Sequence, residues 1–426
     1  MKCTIGLGTN LGDRKGNLES AAQALRALPR AANFRASPVF ETPAMVPEDA
    51  PDGWRIPYLN AVAAMDWAGS PQELLQSLQH IETGLGRAAA LRWAPRIIDL
   101  DLLVFGDQTI GDPHLVVPHA GIWGRSFVLD PLKHLAPGLR LPGHAETVLK
   151  RARELPGHAP LWMGILNLTP DSFSDGGELA DEAELRQRIA AWDSAGVQIF
   201  DLGGESTRPG ARHIAPDEEW SRLEPALHLL RDRYAGRLFR PWISVDTRHA
   251  ATAARALAMG ADIINDVGGL SDPAMGKILQ GGSCQYVLMH SLSIPADKNQ
   301  VLDENRDPVE AVRVWALEKL ESLSRLGIGL DRIIFDPGIG FGKTPSQSLA
   351  LLQGIESFLD LPVRILAGHS RKSFMILWNN LKAEQRDPES IGLSLRLADK
   401  GVDILRVHEP QLHIRAFRAF QEAAGA

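Results

Sequence analysis

Apolar and polar positions in this chain follow two rhythms, and the change between them falls near residue 160. In the first stretch, alternating or continuous apolar runs predict strands around "CTIGLG", "ASPVFET" and "YLNAVAAMD". A wider period predicts helices from about Asn17 to Leu28 and from Pro71 to about Leu85. A later apolar segment reads "RSFVLDPL", and the whole has the ordering of a small α+β domain. The Pro-punctuated "TPAMVPEDAPDGWRIP" is too polar and too broken for an element and reads as a long functional loop. The pentapeptide "LPGHA" occurs twice, flanking the short helical piece "ETVLKRARE", and marks the joint. Domains are expected at 1–155 and 161–426, with 156–160 as a short linker.

From Leu161 on, a short apolar run ends in polar or Gly-rich residues and a helical stretch follows, eight times over: "LWMGILN", "VQIFDLGG", "PWISVDT", "ADIINDV", "CQYVLMH", "RIIFDPG", "VRILAGHS" and "VDILRVH". Eight such units over this length are the arithmetic of a (β/α)₈ barrel, an α/β fold. Each run carries a polar residue near its C-terminal end: Asn167, Asp201, Asp246, Asn265, His290, Asp336, Ser370 and His408. Active sites of such barrels lie at that face. Any one of these residues could be a cap; all eight together favour a site.

The stretch "RWAPRIIDLDLLVFGD" sets an acidic pair into an apolar run. As a strand it places Asp99 and Asp101 on one face and Ile98, Leu100, Leu102 and Val104 on the other. Two neighbouring carboxylates are costly unless a cation neutralises them, and Mg²⁺ held by a carboxylate pair plus substrate phosphates fits. The plainer reading is an edge strand whose acids are solvated or paired to Arg92 and Arg96.

At 426 residues the chain suits two or three domains. A net charge of −7 with no basic block speaks against a nucleic-acid backbone as partner and for small substrates. Two cysteines, Cys3 and Cys284, support neither a disulfide framework nor a Cys-based zinc site, and fit a reducing cytoplasm. No signal peptide and no membrane-spanning run is read. Three motif-like strings fail on spacing. "GLGTNLG" is not G-x-G-x-x-G, "GIGFGKT" is one residue short of a Walker loop, and "GHSRKS" has Lys372 where a nucleophile elbow needs glycine.

In the second half, "MGILNLTPDSFSDGG", "DLGGESTRPG", "ISVDT", "IINDV", "DPGIGFGK", "GHSRKS" and "RVHEP" resemble dihydropteroate synthase in order and spacing. In the first, "GLGTNLGD", "FETPAM", "YLNAV", "RWAPRIIDLDLL", "VPH" and "RSFVLDPL" resemble 6-hydroxymethyl-7,8-dihydropterin pyrophosphokinase. The resemblance implies a ferredoxin-like α+β pyrophosphokinase domain joined to a TIM barrel. The first would transfer pyrophosphate from ATP to the pterin's hydroxymethyl group, releasing AMP. The second would displace that pyrophosphate with p-aminobenzoate, giving 7,8-dihydropteroate.

The site roles follow from the same resemblance. Asp99 and Asp101 would hold two Mg²⁺ ions on the ATP phosphates, with Arg87, Arg92, Arg96, His119 and Arg125 as nucleotide and phosphate contacts. Thr42, Pro43, Asn60 and Phe127 would line the first pterin pocket. In the barrel, Asp246, Asn265, Asp336 and Lys372 would bind the pterin. Asn167, Arg208, Arg406 and His408 would grip pyrophosphate with one Mg²⁺ at Asn167, Asp175 would help shape the cavity, and Thr207, Pro209, Phe341, Ser370 and Lys372 would form the p-aminobenzoate slot. A homodimer through the barrel's outer helices is expected by resemblance.

Two departures stand out. The loop after Arg87 reads "AAAL", poorer in basic residues than the family, which implies weaker closure over the triphosphate and a raised KM for ATP. The segment "SLSIPADKNQ" after His290 also departs and is left unassigned. A methyltetrahydrofolate-dependent methyltransferase would share the pterin contacts but has no use for "SRKS", "RVH" or an attached kinase. A pterin-binding scaffold with a decayed kinase half is opposed by the intact Asp99, Asp101 and Arg96.

Overall fold

Strand alternation in "KCTIGLGT" puts Cys3, Ile5 and Leu7 on one face of β1 (Lys2–Thr9) and Thr4, Gly6 and Gly8 on the other, and the first half is built around that strand. The computed structural model describes residues 1–87, 91, 93–169, 178–206, 211–297 and 299–424. They form two compact units, Met1–Ala159 with Gly236–Arg240, and Pro160–Ala235 with the described residues from Pro241 to Ala424.

In the first unit β1 is followed by α1 (Arg14–Arg26), β2 (Ala31–Ala36), β3 (Phe40–Thr42), β4 (Tyr58–Trp67), α2 (Pro71–Gly84), β5 (Asp99–Phe105), β6 (Ile110–Asp112), β7 (Leu115–Val117), α3 (Ser126–Leu135) and α4 (Val148–Glu154). The main sheet runs β2-β4-β1-β5, with β3 on β4, and β6 and β7 pair separately. Leu18, Leu25, Leu74, Leu78 and Ile81 of α1 and α2 close one face over Ile5, Leu7, Leu100 and Leu102. Val128, Leu129 and Leu132 of α3 and Val148 and Ala152 of α4 close part of the other over Val62, Leu103 and Val104.

Several expectations shift. Val104 does not share the face of Leu100 and Leu102: the register slips between Thr4 and Ile5, Thr4 facing Val104 and Ile5 facing Leu102, so the extra residue turns Val104 to the other face. Helix α1 starts at Arg14, not Asn17, because Asp13 caps it by accepting from Gly16 N at 3.0 Å. The single strand expected in "ASPVFET" is two strands separated by Ser37–Val39, and β2 begins earlier, at Ala31. "RSFVLDPL" is helical despite Pro131. The start of α2 agrees with the pattern, Ser70 and Glu73 forming a reciprocal capping box before Pro71.

In the second unit eight parallel strands close a barrel: β8 (Leu161–Asn167), β9 (Ile199–Gly203), β10 (Trp242–Asp246), β11 (Ile263–Asp266), β12 (Gln285–Met289), β13 (Ile333–Asp336), β14 (Arg364–Ala367) and β15 (Ile404–Val407). Around them lie α5 (Glu178–Ala195), α6 (Pro216–Arg233), α7 (Ala250–Ala258), α8 (Met275–Gly281), α9 (Pro308–Arg325), α10 (Pro345–Gln353), α11 (Glu356–Leu359), α12 (Asp387–Asp399) and α13 (Pro410–Ala424). Each of the eight apolar runs supplies one strand. Among the described residues no helix is long and apolar enough to cross a membrane.

Candidate active sites

The first site lies on the sheet face that carries Gly6 and Gly8. Antiparallel pairing sets Asn60 and Asp99 on either side of Gly8, and Val62 and Asp101 on either side of Gly6. A Cβ at Gly8 would stand 3.2 Å from Asn60 Oδ1, so the missing side chain keeps a slot open between the amide and the carboxylates. "GLGTNLG", rejected as a dinucleotide loop, thus has this other use. Asn60 Nδ2 donates to Thr42 Oγ1 at 2.8 Å, which leaves its Oδ1 as an acceptor beside Gly8. Phe127 is half-buried against the α3 cluster, and the Arg125 guanidinium lies 5.7 Å from its ring centroid.

The acidic pair is divided in its partners. Asp99 accepts from Arg87 at 2.8 Å and from Arg96 at 3.0 Å, so the plainer reading of the pair holds in part, with Arg87 as the second arginine. Among the described residues the Asp101 side chain has the longer contact to His119 Nε2, at 3.9 Å, and it is 43 % exposed. Burial, then the neighbouring Asp99, raises its carboxyl above the usual range. Gly121 N donates to His119 Nδ1 at 3.2 Å, which leaves Nε2 facing Asp101.

Two residues of this site escaped the sequence reading. Glu82, on the buried face of α2, pairs with Arg87 and accepts from Leu100 N at 2.7 Å, tying the arginine to the acidic strand. Burial raises its carboxyl. Asn10 accepts from Arg96 N at 2.8 Å and donates to Ile56 O at 3.1 Å, fixing the backbone that carries Arg96. An acid at a core position of an amphipathic helix was the available signal for Glu82; nothing local marks Asn10. Arg92 lies outside the described residues.

The second site is at the C-terminal ends of the barrel strands. Arg406 donates through Nε to Asp201 at 2.6 Å and through Nη2 to Asp246 at 2.7 Å. Asn265 Nδ2 lies 3.3 and 3.4 Å from the two Asp201 oxygens, and Ser244 Oγ donates to Asp201 Oδ1 at 2.6 Å. Burial outweighs Arg406 and pushes the Asp246 carboxyl up to about 7, with Asp201 adding to the rise. Asp336 is buried, accepts from Gly338 N at 2.7 Å, and is also raised by burial. Lys372 is lowered to about 8 by burial and by Arg406, and its ammonium lies 4.2 Å from the Phe341 ring centroid. Ser370 Oγ is 3.1 Å from His408 Nδ1. Glycines open the floor: a Cβ at Gly203 would stand 3.7 Å from Asn167 Oδ1, and one at Gly368 would stand 3.5 Å from Asp336 Oδ2.

Lys343, unassigned from the sequence, sits beneath this mouth. Its Nζ is 2.8 Å from His290 Nδ1 and donates to the carbonyls of Phe341 at 2.8 Å and His290 at 3.3 Å. Burial lowers Lys343 to about 7 and His290 to about 3. Asp175, Thr207, Arg208 and Pro209 lie outside the described residues.

Among the described residues no cluster of three or more His, Cys, Asp or Glu forms a metal cage. An oxygen-only carboxylate pair beside an open slot fits Mg²⁺ completed by substrate phosphates rather than a caged ion.

Family models match both halves. That of 7,8-dihydro-6-hydroxymethylpterin-pyrophosphokinase covers residues 4–137, and that of the pterin binding enzymes covers 163–408. The folate synthesis bifunctional protein of Chlamydia trachomatis is 34 % identical over 97 % of this chain and 96 % of its own length. That of Arabidopsis thaliana is 32 % identical over 97 % and 94 %. Among solved structures, dihydropteroate synthase of Anaplasma phagocytophilum with bound 6-hydroxymethylpterin-monophosphate is 35 % identical, covering 62 % of this chain and 99 % of that one, with TM-score 0.56. The Xanthomonas albilineans synthase with 4-aminobenzoic acid is 33 % identical, covering 63 % and 94 %, with TM-score 0.57.

Proposed function

The chain belongs to the family of bifunctional folate-synthesis proteins, and from that membership we propose how its own residues carry the two reactions. The first half transfers pyrophosphate from ATP to 6-hydroxymethyl-7,8-dihydropterin, releasing AMP. The second joins the pterin pyrophosphate to p-aminobenzoate, giving 7,8-dihydropteroate and pyrophosphate.

In the first half Asp99 and Asp101 would hold two Mg²⁺ ions. When bound, the ions would neutralise charge on the phosphate oxygens of ATP, including those of the attacked β-phosphoryl group. Arg87, Arg92, Arg96, His119 and Arg125 hold the nucleotide, arginine forks matching phosphate oxygens in pairs. Asn60 reads the pterin edge with its free oxygen, with Thr42, Pro43 and Phe127 around it. The carrying observation is the row Asn60, Gly8, Asp99 across three strands, which sets a pterin-reading amide beside the acidic pair.

In the barrel Asp246, Asn265 and Asp336 accept from the pterin's amino and ring N–H groups, and Lys372 donates to its ring oxygen. The carbon–oxygen bond to pyrophosphate breaks, the bond to the amine nitrogen forms, and the amine loses a proton. Nearby carboxylates favour the electron-poor methylene as the leaving group departs. Asn167, Arg208, Arg406 and His408 grip pyrophosphate, with one Mg²⁺ at Asn167, and Asp175 helps shape that cavity. Thr207, Pro209, Phe341, Ser370 and Lys372 form the p-aminobenzoate slot, which sulfonamides would contest. Domain limits at 155 and 161, a homodimer through the barrel and a cytoplasmic location belong to the same reading.

The test supplies the purified protein with 6-hydroxymethyl-7,8-dihydropterin, ATP, Mg²⁺ and p-aminobenzoate, and follows AMP and dihydropteroate together. Wild type makes both. The Asp99→Ala, Asp101→Ala double variant makes dihydropteroate only from preformed pterin pyrophosphate. A double variant that still releases AMP at the wild-type rate overturns the metal role of the acidic strand.

A further inference from the structure

We propose that Asp201 is a positioning residue for pterin recognition: it fixes which end of the Asn265 amide faces the ligand and holds the Arg406 guanidinium in place. The inference rests on the reading of Asn265 and Arg406 as ligand-binding groups.

Asp201 is fully buried on β9 and accepts from three side chains on three other strands, Ser244 of β10, Asn265 of β11 and Arg406 of β15. An ionised carboxylate has no hydrogen to donate. Asp201 takes hydrogens from the Arg406 guanidinium and the Ser244 hydroxyl, and the Asn265 group that faces its oxygens is the NH₂. Asn265 Oδ1 is thereby left on the side away from Asp201, as an acceptor suited to a pterin N–H. An Asn amide in a neutral pocket could turn over and offer donors instead, and donors facing donors cost affinity. Asp201 therefore acts on selectivity without touching the ligand. Arg406 is shared: Asp201 takes its Nε and Asp246 its Nη2, which aligns the guanidinium between β9 and β10.

The experiment compares Asp201→Asn, Asn265→Ala and the exchange variant Asp201→Asn, Asn265→Asp in the full-length protein, measuring KM for pterin pyrophosphate and for p-aminobenzoate separately. Thermal midpoints are recorded alongside. Asp201→Asn lets the Asn265 amide turn, so KM for pterin pyrophosphate rises about tenfold, the scale of one buried hydrogen-bonding group left unpaired. KM for p-aminobenzoate stays within about twofold, because among the described residues the Asp201 side chain bonds to Ser244, Asn265 and Arg406 and not to Phe341 or Ser370. In the exchange variant both oxygens at position 265 accept, orientation no longer matters, and KM for the pterin returns toward wild type. An exchange variant that is folded but no better than Asp201→Asn overturns the proposal, as does a rise in both KM values together. Should Asp201→Asn be too unstable to assay, the exchange variant decides alone, since it conserves the pocket's charge: KM near wild type supports the proposal, and KM as high as in Asn265→Ala overturns it. If Asn265→Ala itself leaves the pterin KM unchanged, the underlying reading of the pterin site fails instead.

Discussion

Arg87 reaches Asp99 at 2.8 Å while also pairing with Glu82, whose carboxylate accepts the backbone N–H of Leu100 between the two acids of β5. One buried glutamate thus ties Arg87, proposed to hold phosphate, to β5, proposed to hold the metal. Glu82→Ala leaves the Leu100 N–H without its acceptor and is expected to destabilise the protein by about 1–3 kcal/mol. Glu82→Gln keeps an acceptor oxygen but loses the charge, so it melts close to wild type while its KM for ATP rises. Urea unfolding and AMP release, measured on both variants, separate the two effects; equal KM values for wild type and Glu82→Gln would remove Glu82 from the site.

Asp246 gives the second half a pH dependence whose sign can be worked out. Its carboxyl titrates near 7 in the folded protein against 3.8 for an unperturbed group. Between those values the folded state holds one proton more than the unfolded state, so this group's contribution to stability falls as pH rises from about 4 to about 7. Pterin binding runs the other way, because only the carboxylate is a pure acceptor. We expect kcat/KM for pterin pyrophosphate to fall below about pH 7, and Asp246→Asn to flatten both this limb and the stability slope. A pH–rate profile and melts across the same range check it.

Lys343 places its ammonium among three acceptors and so fixes the carbonyl of Phe341, whose ring carries Lys372. Lys343→Met is expected to raise KM for p-aminobenzoate more than KM for the pterin, and to cost about 1–3 kcal/mol for each acceptor left unpaired and dry. Since burial holds Lys343 near 7 against an ordinary 10.5, the folded wild type releases this proton first. Its stability therefore gains between about pH 7 and 10.5, and that gain is absent in Lys343→Met. Parallel melts of the two proteins at both ends of the range measure it.

The Ala-rich loop after Arg87 invites a gain of function. Residue 89 lies outside the described residues; Ala89→Arg adds a charge where ATP phosphates are expected, and one ion pair at solvent-screened strength lowers KM for ATP by about two- to fivefold. Initial rates of AMP release over a range of ATP concentration decide it, and an unchanged KM would sink the idea that this loop limits closure.

By itself the sequence determined the eight-stranded barrel, the α+β half before it, and most groups proposed for the two sites. Those features are written in local periodicity: eight apolar runs ending in polar residues, and two aspartates two apart in a strand. The tertiary structure alone decided the partnerships. Asp201 and Arg406 are 205 residues apart, and Asn10 and Arg96 are 86 apart, so no window of sequence holds either pair. The bulge that turns Val104 over depends on pairing with a strand some hundred residues earlier. Gly8 becomes a slot only once β4 and β5 lie on either side of it. A side chain's chemistry is local, but its protonation and orientation are set by what packing brings against it, and in these sites that comes from distant strands.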